Sequence, residues 1–234
     1  MRRETEHTAI ADRLSPGGPR LADSLRVTEI FFSLQGETSR SGLPTVFIRL
    51  TGCPLRCGYC DTAYAFTGGR MQTFEEIFAA VKQHRTRYVT VTGGEPLAQK
   101  PSIGLLRELC DRDYSVSLET SGAVDVSAVD ARVSKILDIK TPASGEAEKN
   151  LWSNLKHLTR HDEIKFVICN EADYAWAQQQ LVARNLPALC PVLFSPSYRE
   201  LPAAKLAEWI LRDQLPVRFQ TQLHKQLWGE KPGV

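Results

Sequence analysis

Residues 51–62 read Thr51-Gly52-Cys53-Pro54-Leu55-Arg56-Cys57-Gly58-Tyr59-Cys60-Asp61-Thr62. The cysteines are spaced C-x3-C-x2-C, and this segment holds no fourth cysteine or histidine to close a tetrahedral zinc site. An iron–sulfur cube usually binds four thiolates, so a cube held by these three keeps one iron free for another ligand. The stretch therefore predicts a cluster at which chemistry can take place.

A structural zinc site is the main alternative for the same cysteines. Cys110, Cys169, Cys190 and the five histidines could complete it, although these three cysteines lie in segments with helix or strand patterns. Three ordinary buried thiols are a further alternative. Short motifs also match by chance, so the motif alone leaves both readings open.

The chain as a whole has the composition of an ordinary globular protein. Its 234 residues, 42% apolar and 24% charged, suffice for one domain with a substantial core. The 29 basic and 27 acidic residues nearly balance, which gives no argument for nucleic acid or an acidic membrane as partner. No apolar run approaches the roughly 18 residues that a membrane-spanning helix needs.

The N-terminal residues predict a flexible tail over 1–24, followed by one catalytic domain over 25–234. The tail is polar and lacks the apolar segment of a secretion signal. Six cysteines without an export signal suit a reducing compartment, where thiols remain available to bind metal. We therefore expect the protein in the cytoplasm.

Strand and helix patterns alternate along the chain. Strands are predicted at 26–33, 45–50, 88–92, 115–119, 134–139, 164–168, 191–194 and 217–220. Helices are predicted from a capping box at Thr73 and Glu76, and over 102–112, 172–184 and 203–212. This alternation predicts an α/β fold with a mostly parallel sheet and right-handed crossovers.

Polar residues follow the predicted strands at the points where ligands bind in such sheets, beyond the carboxyl ends. They are Glu37, Cys53, Gly93-Gly94-Glu95, Glu119, Lys140, Ser195 and Gln220. A sheet curled into a barrel or partial barrel would bring all of them to one mouth. The glycine pair suits close approach of backbone to a ligand, and the alternative is an ordinary Gly-Gly turn closed by proline.

The cysteine spacing and the downstream Gly93-Gly94-Glu95-Pro96 resemble the radical S-adenosylmethionine superfamily. The resemblance implies a partial, TIM-like (β/α) barrel and a [4Fe–4S] cluster on Cys53, Cys57 and Cys60. In that superfamily the free iron binds S-adenosylmethionine, whose cleavage gives a radical that abstracts a substrate hydrogen. The GGEP segment is implied to hold the amino group of the cofactor through a backbone oxygen.

Further motifs, in order, resemble the 7-carboxy-7-deazaguanine synthase family over about residues 30–224. They are Phe32–Glu37, Phe47–Cys53, Cys60–Thr62, Thr92–Pro96, Glu119–Gly122 and Gln222–Lys225. The family contracts the ring of 6-carboxy-5,6,7,8-tetrahydropterin to 7-carboxy-7-deazaguanine and releases ammonia, on the route to queuosine. Two alternatives are an activating enzyme for glycyl-radical proteins and a zinc-stabilised binding module without catalysis.

The resemblance also implies residue roles, with no catalytic side chain because the radical arises on the cofactor. The implied substrate residues are Leu34, Gln35, Gly36, Glu37, Arg49, Thr92 and His224. The implied cofactor residues are Tyr59, Cys60, Asp61, Gly94, Glu95, Glu119, Asp138, Lys140 and Ser195, and Thr62 is implied to bind Mg²⁺. A homodimer and a reducing partner such as flavodoxin are implied as well.

The chemistry of these side chains suits the implied roles. An arginine such as Arg49 can form a two-pronged bond to a carboxylate. The amide of Gln35 and the carboxylate of Glu37 can read the donor and acceptor edge of a pterin. Two positions have simpler alternatives, because Tyr59 could pack the loop against the barrel and Glu119 could cap the following turn.

Overall fold

The computed structural model describes residues 23–198, 200–231 and 233. Residues 1–22 of the predicted tail lie outside the described residues, and its last residue, Ser24, already belongs to the first strand. The described residues form nine strands. They are β1 (Ser24–Leu34), β2 (Pro44–Leu50), β3 (Arg70–Thr73), β4 (Tyr88–Gly93), β5 (Ser115–Thr120), β6 (Ser134–Ile139), β7 (Glu163–Ile168), β8 (Val192–Pro196) and β9 (Arg218–Phe219).

Six α-helices accompany the strands in the same part of the chain. They are α1 (Phe74–Lys82), α2 (Ser102–Asp111), α3 (Glu171–Ala183), α4 (Leu186–Leu189), α5 (Ala203–Arg212) and α6 (Leu223–Trp228). The predicted capping box starts α1, where the Thr73 side chain accepts from the backbone of Glu76 and the Glu76 side chain accepts from the backbone of Thr73. None of the described helices is both long and apolar enough to cross a bilayer.

The strands form one sheet in the order β3-β1-β2-β4-β5-β6-β7-β8-β9. Every pair from β2 to β9 along this order is parallel, whereas β1 is antiparallel to both β2 and β3. Strands β3 and β9 are the two edges, so the sheet does not close into a full ring. The prediction of an α/β partial barrel with a mostly parallel sheet is confirmed.

The two faces of the sheet differ in polarity, as β4 illustrates. Val89 and Val91 are fully buried in the apolar layer that also contains Ile77 of α1 and Leu105 of α2. The residue between them, Thr90, is also buried, but its hydroxyl bonds to polar side chains on the inner face of the sheet. The core therefore lies between sheet and helices, and the inner face remains available for polar ligands.

The direction of β1 corrects one prediction. Leu34, at the end of β1, pairs with Pro44 at the start of β2, so the chain leaves β1 at the amino end of the parallel strands. The prediction that Glu37 follows the carboxyl end of a parallel strand is therefore wrong. Residues 35–43, here called the inner loop, instead fold into the curve of the sheet, where the Gln35 amide donates to Thr90 (3.1 Å) on the inner face.

Gln220 holds the inner loop from the far edge of the sheet. Its side chain accepts from the Thr38 amide at 2.8 Å and donates to the Thr38 carbonyl at 2.9 Å. Next to this clamp, the Ser39 amide donates to Glu163 at 2.9 Å. Gln220 was predicted to belong to the mouth of the site, but its side chain is buried in this clamp and lies outside the cavity wall.

Candidate active site

A cavity of about 780 Å³ lies within the curve of the sheet, and all the predicted site residues except Glu95 and Gln220 line it. The carboxyl ends of the parallel strands supply one part of its wall and the inner loop supplies another. Further lining residues were not predicted from the sequence. They include Phe31, Phe47, Tyr64, Ser121, Lys165, Tyr198, Gln222, Lys225 and Gly229.

The cysteine loop, residues 53–62, directly follows β2, and its three thiols are half-buried on the cavity wall. Burial raises the pKa of Cys53 and raises that of Cys57 to about 11. No three Cys, His, Asp or Glu side chains of the described residues are gathered tightly enough to hold a single metal ion. Three half-buried thiols on one cavity wall suit a cluster in which each thiolate binds a different iron.

Gly93 and Gly94 pack directly on the backbone that leads into this loop. A Cβ on Gly93, which has φ +153°, would lie 2.3 Å from the carbonyl oxygen of Leu50. A Cβ on Gly94 would lie 2.2 Å from the carbonyl oxygen of Gly52. Only glycine permits this approach, which puts the backbone of residue 94 beside the cysteines.

Glu95 and Glu119 end neighbouring strands but differ in what they contact. The Glu95 carboxylate is fully buried and accepts from the Leu97 amide (2.9 Å), the Thr120 hydroxyl (3.0 Å) and the Ser121 amide (2.7 Å). It therefore ties the end of β4 to the end of β5. Because this side chain does not line the cavity, any contact of Glu95 with the cofactor has to use its backbone.

The Glu119 carboxylate faces the cavity. It accepts from the Thr92 hydroxyl at 2.8 Å and from the Gln35 amide at 3.3 Å. Burial and the neighbouring charge of Glu37 raise the pKa of Glu119. These bonds join β4, β5 and the inner loop across the cavity wall.

Four charged groups form a line along the inner face of the sheet. Lys165 Nζ lies 2.6 Å from Glu37 Oε2 and 3.3 Å from Asp138 Oδ2, and Lys140 Nζ lies 3.2 Å from Asp138 Oδ1. Burial alone would raise the pKa values of both carboxyls, but the ammonium groups hold them below their usual range. Lys165 was missed, although a lysine in the middle of the otherwise apolar Ile164–Ile168 is a signal, since lysines are rarely buried without a partner.

Arg49 projects from β2 between aromatic rings. Its Nε donates to Glu29 Oε1 at 2.7 Å, and its guanidinium lies 5.6 Å from the Phe31 ring and 5.9 Å from the Tyr64 ring. The Tyr64 hydroxyl donates to the same Glu29 oxygen at 2.8 Å. These contacts fix an arginine on the cavity wall.

His224 lies against the inner loop at Gly36. A Cβ on Gly36 would lie 2.1 Å from His224 Nδ1, so the imidazole occupies the space that a side chain would need. The backbone amide of Leu223 donates to the Gly36 carbonyl at 2.9 Å. Burial lowers the pKa of His224.

Residues before and after His224 connect the inner loop to the cysteine loop. The Gln222 amide donates to Glu37 Oε1 at 2.9 Å and to Asp61 Oδ2 at 3.2 Å, and Lys225 Nζ lies 2.7 Å from Asp61 Oδ2. Burial would raise the pKa of Asp61, but Lys225 and Gln222 hold it at about 2. The hydroxyl of Thr62 donates to the other Asp61 oxygen at 3.3 Å.

Two buried hydroxyls on the cavity wall, those of Tyr59 and Ser195, have no hydrogen-bond partner among the described residues. A buried polar group without a partner is costly, so both mark places where a polar ligand fits. Together with the three thiols and the exposed backbone at Gly94, they fit a cluster and an adjacent polar cofactor.

Comparison with known proteins agrees with this site. Residues 47–140 match the Radical SAM superfamily model. A 7-carboxy-7-deazaguanine synthase of Chlorobaculum tepidum is 45% identical over 208 residues, covering 88% of this chain and 94% of the relative. One of Koribacter versatilis is 42% identical over 226 residues, covering 90% of this chain and 100% of the relative. The chain belongs to the 7-carboxy-7-deazaguanine synthase family.

A solved structure supports the fold of this family member. The crystal structure of QueE from Escherichia coli superposes with a TM-score of 0.71 at 22% identity, covering 86% of this chain and 95% of that one. Family membership confirms the prediction of a radical S-adenosylmethionine enzyme in queuosine biosynthesis whose cofactors are a [4Fe–4S] cluster, S-adenosylmethionine and Mg²⁺. It also sets aside the alternatives of a glycyl-radical activating enzyme and a zinc-binding module.

Proposed function

We propose that the cavity converts 6-carboxy-5,6,7,8-tetrahydropterin to 7-carboxy-7-deazaguanine and releases ammonia. The observation that carries this proposal is that the three thiols and the side chains suited to a carboxylated pterin line the same cavity. A small-molecule substrate can thus lie next to the cluster, as hydrogen abstraction requires. Positioning the substrate and excluding water are then the tasks of the protein.

On the cofactor side, Cys53, Cys57 and Cys60 would hold the cluster, and the backbone at Gly94 would contact S-adenosylmethionine. When bound, these groups supply the one-electron chemistry that initiates hydrogen abstraction. The unpaired hydroxyls of Tyr59 and Ser195 are supporting observations for the cofactor position. We assign Asp61, Glu119, Asp138 and Lys140 to the same half of the cavity, together with the backbone of Glu95.

On the substrate side, Glu37 would accept hydrogen bonds from the pterin while it is ionised, which its lowered pKa favours. Arg49 would bind the substrate carboxylate, and Thr92 would contact the ring. Gln35, whose side chain also accepts from the Glu37 backbone amide at 3.1 Å, would orient the Glu37 carboxylate. Leu34, Gly36 and His224 would shape the floor of the pocket.

Thr62 would offer its hydroxyl to Mg²⁺, and substrate oxygens and water would complete the coordination. Mg²⁺ commonly keeps several waters and takes few protein ligands. Supporting this assignment, Thr62 lines the cavity on the side of the cysteine loop. Its neighbour Asp61 is occupied by Lys225 at 2.7 Å.

We also propose that the enzyme works in the cytoplasm as a homodimer and receives electrons from a reducing partner such as flavodoxin. The resemblance to its family supports these assignments. Half-buried cysteines on the cavity wall suit electron delivery from outside. Sedimentation of the cluster-loaded protein tests the dimer, and cluster reduction by a purified flavodoxin system tests the electron donor.

The decisive experiment for the reaction is anaerobic turnover of the pterin with S-adenosylmethionine, Mg²⁺ and a reductant. We expect a product with the mass and ultraviolet spectrum of 7-carboxy-7-deazaguanine, together with ammonia. A protein that carries a full cluster and cleaves S-adenosylmethionine but leaves the pterin unchanged would contradict the proposed substrate.

A further inference from the structure

Lys165 is a charged residue on the cavity wall to which the roles assigned above give no function. Lys165 lies within β7, and only 13% of its side chain is exposed. Its ammonium lies 2.6 Å from Glu37 Oε2 and 3.3 Å from Asp138 Oδ2. It therefore joins a carboxylate assigned to the substrate with one assigned to the cofactor.

Lys165 is suited to act as a fixed charge. Burial would lower the pKa of its ammonium, but Glu37, Asp138 and Glu119 together raise that pKa well above its usual value. An ammonium that stays protonated throughout the physiological range neither gives nor takes protons during turnover. Its contribution must come from its charge and its hydrogen bonds.

The groups around Glu37 show what this charge does. Four titratable groups face Glu37, each from a different element. They are Lys165 of β7, Glu119 of β5, Asp61 of the cysteine loop and His224 of α6. Two of these neighbours are carboxyls, and Lys165 is the ammonium in direct contact with Glu37. Without Lys165, the carboxyl of Glu37 would be buried beside like charges, and burial and repulsion would both favour its protonated form.

We propose that Lys165 is a positioning residue for the pterin, which holds the Glu37 carboxylate ionised and oriented toward the substrate. The geometry of the pair explains the orientation, because Lys165 contacts Oε2 while Gln222 donates to Oε1 at 2.9 Å. One carboxylate held at both oxygens has a fixed plane, and its remaining lone pairs point in fixed directions. This inference rests on the proposed function, in which Glu37 contacts the substrate.

The test measures pterin binding to the cluster-loaded protein without reductant, from about pH 6 to about pH 9, for wild type, Lys165→Met and Lys165→Arg. We expect Lys165→Met to bind on the order of 30-fold more weakly near neutral pH, as for loss of one partner of a buried ion pair. Binding should recover as the pH rises, because Glu37 then ionises without its partner. Lys165→Arg keeps the charge and should keep the wild-type pH profile.

A second variant separates positioning from a general loss of structure. Adding Lys165→Met to Glu37→Gln should weaken binding little beyond Glu37→Gln alone, since Lys165 acts through Glu37. This pair also removes the charge of Glu37, and the carboxylate that remains beside the missing ammonium, Asp138, keeps Lys140 at 3.2 Å. Lys205→Met, an exposed lysine on α5, is the matched control and should bind as wild type does.

Two results would overturn the role of Lys165. One is a loss of pterin affinity in Lys165→Met that is equal at every pH. The other is a loss of affinity in the double variant that equals the product of the losses in the two single variants. Failure of the wild-type protein to bind the pterin would instead contradict the proposed function itself. Iron and sulfide content, measured for every variant, should equal that of wild type.

Discussion

The cysteine loop and the inner loop serve the same cavity but are held in different ways. The three thiols of the cysteine loop are half-buried and, among the described residues, make only long contacts, Cys53 with the Leu55 amide at 3.4 Å and Cys60 with the Thr62 hydroxyl at 4.0 Å. The functional side chains of the inner loop are bonded within the protein, Gln35 to Thr90 and Glu119, and Glu37 to Lys165 and Gln222. The comparison indicates that the cluster itself fixes the cysteines when it binds, whereas the protein fixes the substrate-facing groups in advance.

The largest effect is expected from removing one cluster ligand of the cysteine loop. Cys57→Ala should lower turnover more than about 1,000-fold, because a cluster with only two thiolates is not retained as a source of electrons. The fold should survive, since this thiol contributes little to the core. Iron and sulfide per chain, turnover and circular dichroism measure the three quantities.

The matched control for that variant is Cys110→Ala, which removes a buried thiol of α2 outside the cavity. It should keep the full iron content. Loss of the cluster in Cys110→Ala but not in Cys57→Ala would show that the cluster ligands are wrongly assigned.

The next largest effect is expected from removing the clamp that holds the inner loop. Gln220→Leu removes both bonds to Thr38 and leaves the buried Thr38 amide without its acceptor, while the Thr38 carbonyl keeps the Ser41 amide at 3.2 Å. This loss should cost about 2 kcal/mol of folding free energy. The midpoint of thermal unfolding should fall by roughly 5 °C, and the pterin should bind more weakly at unchanged iron content. Gln226→Leu, at an exposed position, should shift the midpoint little; equal shifts in both variants would argue against the clamp.

A smaller effect is expected for the proposed Mg²⁺ ligand, Thr62. Thr62→Ala should raise the Mg²⁺ concentration for half-maximal turnover about tenfold, as expected when one group of a metal site is lost. Cluster content should remain constant. Thr67→Ala, an exposed threonine outside the cavity wall, is the control, and an unchanged Mg²⁺ response of Thr62→Ala would remove this ligand from the site.

The smallest expected effect concerns pH and the contact between α6 and the inner loop. Because burial lowers the pKa of His224 below the usual 6.5, the unfolded chain binds its proton more readily than the folded protein does. Stability should therefore fall as the pH drops through about 6.5. The advantage of wild type over His224→Gln in thermal unfolding should shrink between about pH 7.5 and about pH 5.5, and an advantage that does not change would contradict a buried neutral imidazole.

Local patterns in the sequence were enough for most of the strands and helices, since β-branched and aromatic residues mark the strands and helical spacing of apolar residues marks the helices. They did not reveal the direction of β1, because alternation of side chains is the same in either direction. The edge strand β3 was missed, since Arg70–Thr73 is short and mostly polar. The crossover from β6 to β7 contains 3-10 helices, Pro142–Ser144, Ala147–Lys149 and Trp152–His157, and no α-helix.

For the site, motifs predicted the residues that reach the cavity but not how they are tied to one another. Glu95 belongs to a recognisable motif, yet its side chain serves the strand ends. Gln220 and Thr38 are 182 positions apart, and no periodicity in a sequence reports a hydrogen bond over that separation. Lys165 lies in the interior of a strand, where a pattern of apolar residues hides the inward-facing charge.

The distance along the chain between Thr38 and its clamp also determines the order in which the site is built. On the ribosome, the inner loop emerges early, but Gln220 and Leu223 emerge only after β1 to β9. A nascent chain can assemble the first parallel strands and the cysteine loop before Gln220 binds the inner loop at the substrate side of the cavity. Completion of the pocket thus follows synthesis of the whole sheet, and loss of the residues from 220 onward would leave a cluster-binding scaffold without a formed binding site for its substrate.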